Sequence, residues 1–209
     1  MMRVRMENMK GHNKNIDVLT FLGKVILWMP VTFAMWYFVV PVIIFVTASA
    51  VDIIVSVFAD HVIKSVEPND RQITVITQFS DQSFPIKAMK YAYSFPFLLA
   101  MILASPDSIP GKIKKYALSL IPLFLIVIWG VSFAAISTVA FYSGPEIAKA
   151  LNTTPAIRLF LSLGFQLGKL IIPPLTPIIL WLYLYRDYAH QLVPRLISSS
   201  RPGAIEKKD

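Results

Sequence analysis

The chain has 209 residues, 56% of them hydrophobic and only 15% charged, with no cysteine and a formal net charge of +8. A mean hydropathy of +0.61 excludes an ordinary soluble domain, whose core is too small to hide so much apolar side chain. The missing cysteines exclude disulfides, thiolate metal ligands and a cysteine nucleophile.

Residues 1–24 are polar and basic and are predicted to form a cytoplasmic N-terminus. Val25 to Val51 carries no Asp, Glu, Lys, Arg or His, and the apolar run continues past Asp52 to Phe58. A straight helix over 25–58 is about 50 Å long, against a hydrocarbon core of about 30 Å, so this first span has to bend, tilt or protrude. Pro30 and Pro41 are the candidate kinks. The run is too long for the apolar part of a signal peptide, and no small-residue cleavage site closes it.

Residues 60–88 form the one substantial segment predicted to stand outside the bilayer. Glu67-Pro68-Asn69-Asp70 reads as a turn. "QITVITQF" (72–79) is rich in β-branched residues and reads as a strand, followed by a turn at Ser80–Ser83 and a second strand beginning in "FPIKAMKY". Two strands alone are marginal in water, so this hairpin is expected to lean on the helices or on another protein. Pro85 confines the second strand to an edge.

A second, short span is predicted over 89–106 around "FPFLLAMILASP", with Lys87 and Lys90 snorkelling toward the headgroups and Pro106 ending it. At this length it needs protein neighbours or local bilayer thinning. The link "PDSIPGKIKK" stops one helix and starts the next as an antiparallel pair. The third span is predicted over 116–142, inside the uncharged stretch Tyr116–Pro145, and the fourth over 159–185, interrupted only by Lys169. Residues 186–209 form a tail. The fold class is therefore an all-α membrane protein with four transmembrane helices (a membrane domain over 25–185) and a small extracytoplasmic β-hairpin.

The basic residues fix the expected orientation. Arg3, Arg5, Lys10, Lys14 and Lys24 precede the first span; Lys112, Lys114 and Lys115 fill the short link; Arg186, Arg195, Arg201, Lys207 and Lys208 follow the last. The connections 60–90 and 143–158 carry fewer, which places both termini and the link in the cytoplasm. The charge is thereby absorbed by topology and lipid attraction, and no basic stripe interleaved with aromatics remains for nucleic acid.

Catalytic groups are scarce. His12 and His190 fall on one side of the membrane and His61 on the other, and there is no metal-ligand spacing and no glycine-rich phosphate loop. The chain reads as no enzyme, with no cofactor and no metal. Asp60-His61, with Arg71 near in sequence, reads as a solvated helix end. Two ionisable residues stand out in the spans: Asp52 and Lys169 both fall on the outer halves of their helices, and an ion pair between them is geometrically allowed. The alternative is that Lys169 snorkels past Gln166 and Asp52 already lies at the surface. Gly164 and Gly168 form a small-xxx-small candidate packing face, followed by Pro173, Pro174 and Pro177. Proline breaks in the first and fourth spans keep a small transport or permease component as the alternative function.

The order of features (a basic start, a long span, "ITVITQF", then "YSFPFLLAMILASP", a short basic link and two further spans) resembles the small membrane proteins that accompany exosortase H, a relative of the exosortase and archaeosortase protein-sorting transpeptidases. The likeness covers roughly 25–140 and is sharpest over 91–106. Exosortase enzymes work through a membrane-embedded cysteine with arginine and histidine partners. This chain has no cysteine, and the turn "SDQSFPIK" offers no such nucleophile, so no catalytic role passes to Arg71 or His61. The resemblance implies an accessory protein of a bacterial inner membrane that docks beside a sorting enzyme or its substrates.

Overall fold

A computed structural model describes residues 18–78, 83–142 and 154–199. The basic residues of 1–17, most of the turn expected at 80–83, the connection over 143–153 and the end of the tail lie outside the described residues.

Helix α1, Val18–Phe58, runs for 41 residues through both Pro30 and Pro41, a length of about 60 Å. It begins seven residues before the predicted span and remains a single helix at both prolines. Its end passes within a few residues into strand β1, Ile63–Asn69, through bonds from the Val62 and Ile63 amides to the Ala59 carbonyl. Strands β2, Gln72–Thr77, and β3, Ser83–Ile86, complete an antiparallel sheet of order β1-β2-β3.

The predicted hairpin is thus one strand short. Glu67, Pro68 and Asn69, read as part of a turn, belong to strand β1, and the turn contracts to Asp70-Arg71, because Asn69 pairs with Gln72. Asp70 takes φ 49°, a left-handed conformation that aspartate tolerates better than most residues. Both prolines of the sheet lie on edge strands, Pro68 on β1 and Pro85 on β3, where a missing amide costs least. Ile73 and Val75 on β2 are fully buried, so one face of the sheet packs inward.

The second predicted span is two short helices, α2 (Met89–Ala92) and α3 (Ser94–Ala104), broken at Tyr93. Together they cover about 24 Å. Three helical runs are long and apolar enough to cross a membrane, Val18–Phe58, Ile109–Tyr142 and Pro155–Leu184, and Met89–Ala104 falls short of that length. Phe95, Leu98 and Ile102 on α3 are buried to 2% exposure or less. Helix α3 therefore faces protein: α1 and the helical segments Ile109–Tyr142 and Ile172–Leu184 pack around it.

Helix α4, Ile109–Tyr142, starts inside the basic link rather than after it. Helix α5, Pro155–Gln166, is capped by Thr154, whose Oγ1 accepts from the Ile157 amide with Pro155 in the first turn. A π-helical turn over Leu167–Ile171 joins it to α6, Ile172–Leu184. Pro173 and Pro174 follow at once; each lacks an amide and crowds the turn before it, which accounts for the widened turn at this point. Helix α7, Arg186–Ser199, lies where the sequence predicts only a tail.

Candidate functional site

Because α3 is short, α1 and α4 are not held together along their full length. The consequence is an apolar groove floored by α3. Its wider part, about 490 Å³, is lined by Trp28, Leu99, Leu103, Ile113 and Tyr116 among others. Its narrower part, about 300 Å³, continues past Met35, Trp36, Phe95 and Phe124, and the two share Leu99, Tyr116 and Leu120. Two polar groups mark it. Lys112 Nζ donates to the Leu103 carbonyl at 2.8 Å, capping the end of α3, and the Trp36 indole N–H is buried with no hydrogen-bond partner among the described residues.

The link end of the bundle is closed by a polar and aromatic cluster. Trp181 Nε1 donates to Ser105 Oγ at 2.7 Å, and Ser105 donates in turn to the Met101 carbonyl at 2.8 Å. Lys115 Nζ lies 2.9 Å from Asp107 Oδ2 and 3.8 Å from the centre of the Tyr185 ring, whose hydroxyl also donates to Asp107 at 3.4 Å. The hydrogen bond from Lys115 holds the Asp107 carboxyl below its ordinary value against a smaller desolvation effect. Phe21 stacks on Trp181 at 4.8 Å and meets Tyr188 edge-on at 5.9 Å. The starts of α1 and α7 are thereby pinned to the end of α6.

At the sheet end, Asp52 and Lys169 are placed apart. Asp52 Oδ1 accepts the Val66 amide at 2.8 Å, tying α1 to β1 just after the register slips between Ile63 and Ser65. Lys169 Nζ lies 5.1 Å from the Phe165 ring centre and lines a pocket with Lys87 and Lys90. No ion pair joins Lys169 to Asp52 among the described residues. Arg71, in the β1–β2 turn, donates to the Tyr37 hydroxyl with its guanidinium 3.7 Å from the ring centre, so the sheet lies along the flank of α1. The His61 ring meets the carboxylate of its neighbour Asp60 at 3.4 Å. No group of three or more His, Asp or Glu side chains suited to a metal occurs among the described residues.

Gly164 and Gly168 both meet α4. A Cβ on Gly164 would fall 2.1 Å from a Phe133 ring carbon, and one on Gly168 would fall 2.8 Å from the Gly130 Cα. The reciprocal glycine is Gly130, whose Cβ would lie 2.9 Å from the Gly168 carbonyl and 2.8 Å from Tyr91. Sequence reasoning missed Gly130; its signal is a lone glycine in the middle of a long uncharged helix. It missed the cluster of Lys87, Lys90 and Lys169 as well, because Lys169 comes from a segment far in the chain from the other two.

No curated protein and no solved structure matches the chain. A family model described as "Exosortase H-associated membrane protein" matches residues 15–188, which takes in every helix and strand described above except most of α7, of which only the start at Arg186 is covered. The chain belongs to the family of exosortase H-associated membrane proteins.

Proposed function

We propose that this protein is a non-enzymatic accessory subunit of an exosortase-type protein-sorting system, resident in the bacterial inner membrane with both termini in the cytoplasm. One observation carries the reading beyond the family description: the apolar exterior is longer than a bilayer is thick. Helix α1 spans about 60 Å, roughly twice a hydrocarbon core of about 30 Å, and the usual tilt of about 20° recovers only a few ångströms. Yet it exposes large apolar side chains from end to end, with Leu19 73%, Phe38 81%, Ile53 66% and Phe58 73% exposed. Apolar surface left beyond the lipid needs protein to cover it. Transmembrane helices of the sorting enzyme are the occupants this reading assigns, both on the surplus length of α1 and in the groove over α3.

The test is co-purification from a mild detergent with the enzyme co-expressed. The reading expects a complex that survives washing and is lost when Ile53 and Val57 are changed to lysine, with the variant still folded. Recovery of the chain alone, together with substrate sorting unaffected by its deletion, would overturn it. The transport alternative gains its support from the π turn at Leu167–Ile171, and solute uptake by liposomes holding only this chain would favour it.

A further inference from the structure

A pocket of about 280 Å³ opens where the end of β3, helix α2, helix α4 and the π turn meet, and Lys87, Lys90, Lys169, Tyr91, Thr138 and Phe165 line it. The ion pairs of the described residues are His61–Asp60, Lys115–Asp107 and Arg186–Asp187. None involves the three pocket lysines. Lys87 and Lys90 are exposed and Lys169 is half-buried on an otherwise apolar helix; three lysines lining one small cavity repel one another, and a bound anion relieves that repulsion. Side chains on a helix lean toward its N-terminus. Lys169 therefore reaches back over Phe165 toward the sheet end, where Lys87 and Lys90 stand.

The depth of the pocket identifies the anion. Helix α4 carries Lys115 near its start and Ala134 and Thr138 on the pocket wall. From Lys115 to Ala134 the helix rises about 28 Å, close to the thickness of a hydrocarbon core. The pocket accordingly sits at the headgroup level of the leaflet opposite the basic link. Leu170 and Ile171, 64% and 48% exposed, adjoin Lys169 and present apolar surface where acyl chains would run.

We propose that this pocket binds the phosphate-diester headgroup of an anionic phospholipid, with Lys87, Lys90 and Lys169 as its cationic contacts. The site is independent of the partner-docking surfaces described above. The test uses the full chain in neutral detergent, with native mass spectrometry and thermal unfolding in the presence of phosphatidylglycerol, phosphatidylcholine of the same acyl chains, or inorganic phosphate alone. The expected result is binding of phosphatidylglycerol at least fivefold tighter than phosphatidylcholine. That preference falls below twofold in the triple variant Lys87→Gln/Lys90→Gln/Lys169→Gln and is retained in the triple Lys→Arg variant and in Lys114→Gln. Without lipid, the triple Gln variant is expected to unfold at the same or a higher temperature than the natural protein, because mutual repulsion is removed; this separates lost binding from lost folding. Equal binding of the two lipids, or a preference that survives the triple Gln change, would overturn the proposal. An effect fully reproduced by inorganic phosphate would overturn the lipid assignment in favour of a soluble anion.

Discussion

The crossing of Gly130 and Gly168 makes the sharpest prediction about what holds the bundle together. At Gly168 an added methyl group meets backbone, the Gly130 Cα at 2.8 Å, which cannot rotate away as a flexible side chain would. Overpacking of this kind costs about 1–3 kcal/mol, and contact with backbone puts it in the upper half of that range. Replacing glycine by alanine in a helix returns about 1 kcal/mol. Gly168→Ala is therefore expected to destabilise by about 1–2 kcal/mol, a fall of about 2–8 °C in Tm for a chain of this size. Gly130→Ala obstructs the same crossing from the other side and is expected to cost a similar amount. The double variant should cost less than the sum, since helices already pushed apart by one methyl group accept the second more easily. Gly23→Ala is the control: nothing among the described residues lies within 4 Å of its added Cβ, so the propensity gain stands alone. Thermal unfolding in detergent, read by tryptophan fluorescence, measures all four. Gly168→Ala and Gly130→Ala variants as stable as Gly23→Ala, or a strictly additive double variant, would refute close backbone contact at this crossing.

Three further outcomes follow from the other contacts. Ser105→Ala strands the buried Trp181 N–H and should cost about 1–3 kcal/mol, whereas Trp181→Phe leaves Ser105 with its Met101 acceptor; the double variant should cost less than the sum of the two. For Asp107 the folded value lies below the ordinary 3.8, so its contribution is present above that pH and is lost as the pH falls through the folded value. Asp107→Asn should therefore lower Tm at pH 7, with the gap from the natural protein closing in acid below pH 3.8. Asp52→Ala removes the acceptor for the Val66 amide and should cost about 1 kcal/mol, Asp52→Asn less. Combined with Lys169→Gln the effects should add within about 0.5 kcal/mol, and a coupling clearly above that would restore a direct pair between the two.

What the sequence disclosed was what lipid and proline impose locally. Uncharged runs located the three long helices, and Pro85 marked an edge strand because it has no amide to donate. Strand β1 escaped because Lys64-Ser65-Val66-Glu67-Pro68 lacks strand alternation. It is strand because β2 pairs with it and because Asp52, fourteen residues away, accepts its Val66 amide. Helix α7 escaped because its residues are polar; Ala189 and Leu192 are buried and the contact of Tyr188 with Phe21 docks it. Of the candidate site residues, Gly164 and Gly168 could be paired by their own spacing, but their contacts Phe133 and Gly130 lie on another helix. Lys169 was visible as a charge in an apolar run. Its neighbours Lys87 and Lys90 became neighbours only through the tertiary fold, a placement that no single-chain periodicity encodes.

The most direct measurement of the accessory role is site-specific photo-crosslinking in cells that make the sorting enzyme. The probe is placed in turn at Ile113 in the groove, at Val57 on the far end of α1, and at Leu118 on the exposed face of α4, positions 65%, 71% and 60% exposed. The account predicts adducts with the enzyme from Ile113 and Val57 and lipid adducts from Leu118. Lipid adducts alone from all three positions would contradict it.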